Sequence, residues 1–322
     1  MATDRPVRCV FVSGHEFGMS ALEGLLSAAE ELGGGLEVPL TLTLPQRHAA
    51  GTVGFLDQVP ASDLIGEARP AVDARLVAEA EAIAATDPDF LLVIGWSWLI
   101  PDAVLDITAR VRGQSERHGP AHGVLGMHPS LLPEGRGRAP IPWTIVKGLT
   151  RSALSVFRLE RQADAGGIVM QLPIDVAPRE TSSFLFHRVR ALHAIAGYRV
   201  GHLMARRSVP AVPQDESRVT EWKQRRPADS ELDFSVPATT VDALVRAQTA
   251  PYPPGFVACR SGRLLVHRST PLEGGDAEPG MLVELTEAGP VVACSPGSLR
   301  LDDITGEGPA PPWQIGVALT DH

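Results

Sequence analysis

A chain of 322 residues with 44% hydrophobic and 21% charged side chains has the make-up of a globular protein, long enough for one full α/β domain and a smaller second one. Its formal charge of −9 argues against a nucleic-acid partner, because phosphate binding needs a positive footprint. The cysteines, Cys9, Cys259 and Cys294, are odd in number and lack metal-ligand spacing, which disfavours a disulfide framework or a zinc site and suits a reducing cytosol.

The amino terminus is polar and has no apolar core of the secretory type, and no apolar run approaches the roughly 20 residues that span a bilayer, so a cytoplasmic location with no membrane partner is expected. Residues 7–12 are an apolar run ending at Ser13-Gly14, and helical spacing follows over 17–32: strand, turn, helix. A second strand is expected over 36–44, closed by Pro45. Residues 71–86 carry an Ala- and Glu-rich helical period that stops at Asp87-Pro88. The continuous apolar run 90–95 then has buried-strand character. A short strand over 124–127 and a helix over 139–148 come next.

Strands alternating with helices predict a mostly parallel, Rossmann-like sheet with ligands at the carboxyl ends of its strands. Three loops fall there: Ser13-Gly14-His15, Gly95-Trp96-Ser97-Trp98, and His128-Pro129-Ser130. Beyond residue 152, strands over 153–159 and 168–176 flank a turn holding Asp164, and Thr181 is a good N-cap for a helix over 182–206. The stretch 208–230, with three prolines and many charges, reads as a linker. A short helix over 240–249 and several glycine-broken strands predict a small carboxy-terminal β-barrel, OB-like, over 231–322, after a catalytic domain over 1–207.

The richest stretch is Gly126-Met-His-Pro-Ser-Leu-Leu-Pro-Glu-Gly-Arg-Gly-Arg-Ala-Pro140. A strand delivers His128 to a cleft edge, where an imidazole can act as acid, base or electrostatic stabiliser near neutral pH. A hydrogen-bonded structural His is the bland alternative. Asp164-Ala-Gly166 sits between two strands, where an Asp can simply cap its own turn or can orient His128.

These residues carry a resemblance. His128-Pro-Ser-Leu-Leu-Pro133, Arg136-Gly137, Pro140, Trp143, Asp164-Ala-Gly166 and Thr181 resemble the formyltransferase family. So do the opening Val10-Phe-Val-Ser-Gly14 with Phe17, and Asp89-Phe-Leu-Leu-Val-Ile before Gly95-Trp96. Arg226-Pro-Ala-Asp, Arg246-Ala247 and Pro251-Tyr-Pro-Pro-Gly255 look like the linker and β domain of the methionyl-tRNA formyltransferase branch. The resemblance implies a Rossmann-like catalytic domain that moves a formyl group from N10-formyl-tetrahydrofolate, its co-substrate, to an amine. It implies that His128 stabilises the developing oxyanion or relays a proton, and that Asp164 tunes His128 and positions a water. Such electrostatic help is worth about 3–4 kcal/mol per donor. The folate would be held by Trp96, Ser97, Trp98, Leu99 and Ile100, by Gly126 and Met127, and by Ala163 and Gly166 at the Asp164 turn.

One position departs from the family pattern. An Asn is expected two residues before the His, and this chain has Gly126. Removing one oxyanion donor costs about 10²–10³-fold in rate unless a backbone N–H, a water, Ser97 or His15 takes its place. The gap leaves open an altered acceptor chemistry or a folate-binding relative without turnover. Members that act on initiator tRNA carry a basic insertion after the second strand, whereas residues 41–60 here hold Arg47 as their one Lys or Arg. A small-molecule amine is therefore the expected acceptor: a siderophore precursor, an aminosugar nucleotide or a specialised metabolite. His15, Glu16 and Met19 are candidate acceptor contacts.

Overall fold

The computed structural model describes residues 5–56, 58–111, 123–260, 262–274, 277–307 and 313–321; residues 1–4, part of the polar amino terminus read above, lie outside them. The chain divides into two compact units, one of Met1–Gly137, Arg151–Ile174 and His187–Trp222, the other of Arg138–Thr150, Asp175–Phe186 and Lys223–His322.

Strands β1 (Val7–Val12), β2 (Leu36–Thr43), β3 (Ile65–Pro70), β4 (Phe90–Ile94), β5 (Gly123–His128), β7 (Arg151–Arg158) and β8 (Ile168–Asp175) form one seven-stranded sheet in the order β3-β2-β1-β4-β5-β7-β8. The β3-to-β5 part is parallel, and β7 runs antiparallel to β5. One face buries Val10, Val12, Leu40, Leu42, Leu91, Val93 and Val124 in an apolar cluster with the short helices α2 (Ala80–Ala85), α3 (Asp102–Leu105) and α4 (Ile107–Val111). Helix α1 (Glu16–Glu31) lies against β2 and β4 on the other face. Both faces of β4 and β5 are covered, which is why their sequences are continuous apolar runs rather than alternating ones. At the amino ends of the strands, fully buried Asp89 accepts the backbone N–H of Arg8 at 2.9 Å and pairs with Arg5 at 3.0 Å and Arg207 at 2.5 Å. A buried carboxylate is tolerable only with such partners.

The expected helix over 71–86 is much shorter. Only a 3₁₀ turn at Val77–Glu79 and α2 are helical. Two carboxylates explain the loss. Asp73 accepts from the N–H of Arg75 at 2.6 Å, and buried Glu79 turns inward to take Val72 N–H at 2.7 Å and both terminal nitrogens of Arg69 at 2.7 and 3.0 Å. Side chains that satisfy backbone donors this way compete with the helix ladder. The stretch 208–230 is likewise more structured than a linker: Val212 bridges Ile168, and β9 (Glu221–Trp222) pairs in parallel with β6 (Arg136–Gly137).

In the second unit, β10 (Gly255–Cys259), β11 (Gly262–Leu272), β12 (Leu282–Thr286), β13 (Gly289–Ala293) and β14 (Ser298–Gly306) make a five-stranded sheet in the order β10-β11-β14-β13-β12, antiparallel at every pairing. Helix α7 (Ala238–Ala247) packs on β11 and β14 and contacts α5 (Pro140–Val146). Val241 and Val245 enter a core with Val266, Leu299 and Leu301. Buried Asp242 on α7 accepts from Arg179 at 2.7 Å, Arg246 at 2.8 Å and Ser269 at 3.0 Å. Helix α6 (Ser182–Ala205) begins as its cap predicts, Thr181 Oγ1 accepting the N–H of Phe184 at 3.3 Å. Among the described residues, no helix is long and apolar enough to cross a membrane.

Candidate active site

His128 is the last residue of β5, paired with Ser155 on β7, and only 7% of its surface is exposed. Its Nε2 stands 2.8 Å from the carbonyl oxygen of Gly135. A carbonyl can only accept, so Nε2 carries a proton and Nδ1 is the nitrogen turned toward Asp164. The Asp164 Oδ2 lies 3.8 Å from Nδ1, too long for a direct hydrogen bond.

The loop after His128 is held from below. Ser155 Oγ donates to the carbonyl of Ser130 at 2.6 Å, and Gln171 Nε2 donates to the carbonyl of Leu132 and to Ser155 Oγ, each at 2.9 Å. Further on, Gly135 donates to Thr220 Oγ1 at 2.8 Å and has φ of +77°, a backbone state that favours glycine. A side chain there would also meet the Trp222 ring at 2.6 Å.

Asp164 takes a left-handed conformation, φ +54°, as Asp tolerates better than most residues. Its carboxylate does not serve its own turn. Instead Oδ2 accepts the N–H of Gly137 at 2.8 Å, across on the His128 loop. The side chain the sequence reading missed is Gln214. Its Nε2 donates to the carbonyls of Asp164 and Gly166, each at 2.7 Å, while its Oε1 accepts from Arg136 Nε at 3.1 Å and Nη2 at 2.9 Å. Buried Arg136 also forms a two-pronged pair with Glu216, at 2.7 and 3.2 Å. The clue available in the sequence was Trp222, an aromatic in a polar stretch of an aromatic-poor chain.

The loop after β4 and the loop after β7 are brought together. Arg161 pairs with Asp102 at 2.7 Å, and half-buried Trp96, Ile100 and Leu159 pack on one apolar cluster. Trp96 donates to the carbonyl of Ala74 at 2.7 Å and meets Trp98 edge-on at 6.1 Å between centroids. Ser97, Leu99 and Ala163 are exposed, while Gly126, Met127 and Gly166 are buried. The space an Asn would use at Gly126 is not empty. A Cβ there would lie 2.7 Å from Leu159 Cδ2, 3.2 Å from Leu159 Cγ and 3.4 Å from Phe157 Cε1.

His15 is the N-cap of α1, its Nδ1 accepting the N–H of Phe17 at 3.0 Å, and burial holds its pKa down at about 4. That nitrogen is therefore committed to the helix start rather than to an oxyanion. Glu16 pairs with Arg190 at 3.1 Å, and Met19 is buried in the core.

The formyl transferase family profile matches residues 9–200, and the formyl transferase C-terminal domain profile matches residues 225–311. The chain is 30% identical over 310 residues to the methionyl-tRNA formyltransferase of Aromatoleum aromaticum, covering 95% of this chain and 92% of that protein. It is 31% identical over 311 residues to the methionyl-tRNA formyltransferase of Gluconobacter oxydans, covering 94% and 93%. Among solved structures, an N-formyltransferase from Helicobacter canadensis in complex with folinic acid and dTDP-3-aminofucose superposes with a TM-score of 0.61 at 11% identity, over 92% of this chain and 99% of that one. The methionyl-tRNA formyltransferase from Clostridium thermocellum gives 0.55 at 17% identity, over 82% and 93%. The last two likenesses show a shared fold; the profiles and the sequence relatives go further, and the chain belongs to the formyl transferase family, an enzyme that moves formyl groups with formyl-tetrahydrofolate as donor.

Proposed function

We propose that this enzyme formylates the amine of a small molecule, such as a siderophore precursor, an aminosugar nucleotide or a specialised metabolite, with His128 and Asp164 at the reaction centre. The observation that carries the choice of acceptor is the segment between β2 and β3. Residues 41–60 hold one basic side chain, Arg47, and its guanidinium already donates to the carbonyl of Val72 at 2.7 Å. With a net charge of −9, little remains to neutralise tRNA phosphates.

The folate supplies an activated formyl carbon. Trp96, Trp98, Ile100 and Leu159 wall its ring, and the backbone around Gly126, Met127, Ala163 and Gly166 offers the polar contacts. His128, with Nε2 committed to Gly135, presents Nδ1 to the reacting oxygen. The Asp164 carboxylate orders a water that accepts the amine's proton. Holding both groups on turns braced from beneath keeps the reorganisation needed during reaction small.

A second reading has its own support, since the curated relatives above act as methionyl-tRNA formyltransferases. One experiment separates the two. The protein is incubated with N10-formyl-tetrahydrofolate and either a panel of small amines or aminoacylated initiator tRNA, and tetrahydrofolate release is followed at 50 and 200 mM salt. Turnover with a small amine, insensitive to salt, supports the proposal. Efficient turnover on tRNA that falls steeply with salt overturns it.

A further inference from the structure

Gln214 belongs to no helix or strand, yet every hydrogen-bonding position of its amide is engaged. Its two N–H groups reach the carbonyls of Asp164 and Gly166, which converge because Asp164 turns left-handed. Its oxygen reaches Arg136. Arg136 stands between Gly135, whose carbonyl holds His128 Nε2, and Gly137, whose N–H holds the Asp164 carboxylate. One amide therefore joins the turn that carries Asp164 to the turn that anchors His128.

We infer that Gln214 is a positioning residue for the formyl transfer, setting the distance between His128 and Asp164 from the stretch of chain that follows the catalytic sheet. The inference rests on the reading of those two residues as the reaction centre. An amide is the side chain that fits, because it alone of the uncharged groups offers two donors on one side and a two-fold acceptor on the other. A Lys or Arg would lose the contact to Arg136, and a Glu would set lone pairs against two carbonyls. The bland alternative is a brace that only stabilises the fold.

The test uses Gln214→Met, which keeps length and volume but removes all four hydrogen bonds, with Gln214→Ala as a second variant. Arg218→Ala is the control. It removes the exposed Arg218–Glu134 pair, 2.7 Å, which ties the same stretch to the same loop without touching Gln214. Formyl transfer is measured with the best amine, together with melting temperature and the NMR chemical shifts of the His128 imidazole at one fixed pH, assigned by difference from His128→Gln.

Both Gln214 variants are expected to lose about 10- to 100-fold in kcat, the scale of a misplacement near 1 Å, with KM for the amine changed less than about threefold. The His128 ring signals should move as the Asp164 carboxylate drifts away, while Arg218→Ala leaves kcat and those signals as in wild type. Unmoved His128 ring signals in folded Gln214→Met overturn the inference, whatever happens to kcat. The ring spectrum needs no turnover, so it still reads the role of Gln214 if His128→Gln proves active and the assignment of the reaction centre is lost.

Discussion

Replacing Gly126 by Asn puts back the side chain that the family pattern carries, and the structure forecasts a packing conflict. Position 126 lies inside β5, paired with Val93 and Phe157, so an Asn meets no backbone obstacle. The conflict is with Leu159, whose Cδ2 would stand 2.7 Å from the new Cβ, about 1 Å inside normal carbon–carbon contact. Leu159 must rotate out of its packing against the apolar cluster of the β4 face. Overpacking of this kind costs about 1–3 kcal/mol. At about 2–4 °C per kcal/mol for a unit of this size, calorimetry should show a melting temperature lower by about 2–12 °C.

Leu159→Ala should relieve the conflict, so the two substitutions are expected to be non-additive, with a coupling of at least about 1 kcal/mol in a double-mutant cycle. Formyl transfer should not rise in Gly126→Asn alone. It should rise in the double variant, where the amide has room to reach the formyl oxygen. Additive stabilities with a wild-type melting temperature for Gly126→Asn would refute the reasoning, since Leu159 would then not occupy that space.

His128→Ala and Asp164→Ala are each expected to lower kcat by at least about 10²-fold while leaving circular dichroism and melting nearly unchanged; near-normal turnover in either is the contrary result. Gly135→Ala meets both the left-handed backbone and the Trp222 ring, so it should cost more than about 2 kcal/mol in denaturant unfolding and lower activity with it. A pH dependence of stability follows from His193, buried, stacked on Phe17 at 4.7 Å and held by burial at a pKa of about 3. The unfolded chain takes up that proton near pH 6.5 and the folded chain does not, so the stability contributed by neutral His193 is complete above pH 6.5 and is lost as pH falls toward 3. His15, shifted the same way, adds to the loss down to about pH 4. Chemical unfolding at pH 7 and pH 5 should show a smaller difference for His193→Gln than for wild type.

Local sequence was enough for the parts whose cause is local. The strand runs 7–12 and 90–94, the Thr181 cap and the rigid His128 loop are written in apolar runs, hydroxyls, prolines and glycines that act over a few residues, and the parallel sheet follows from their alternation. What tertiary structure decided is what those residues touch. A helical period over 71–86 gave way to Asp73 and Glu79, whose partners come from backbone and from Arg69. A proline- and charge-rich stretch became the floor of the site because Trp222 packs under Gly135 and Gln214 reaches two carbonyls about fifty residues away. The gap at Gly126 was visible as a missing side chain. That Leu159 fills it depends on β7 lying beside β5, a pairing between positions some thirty residues apart that no local pattern encodes.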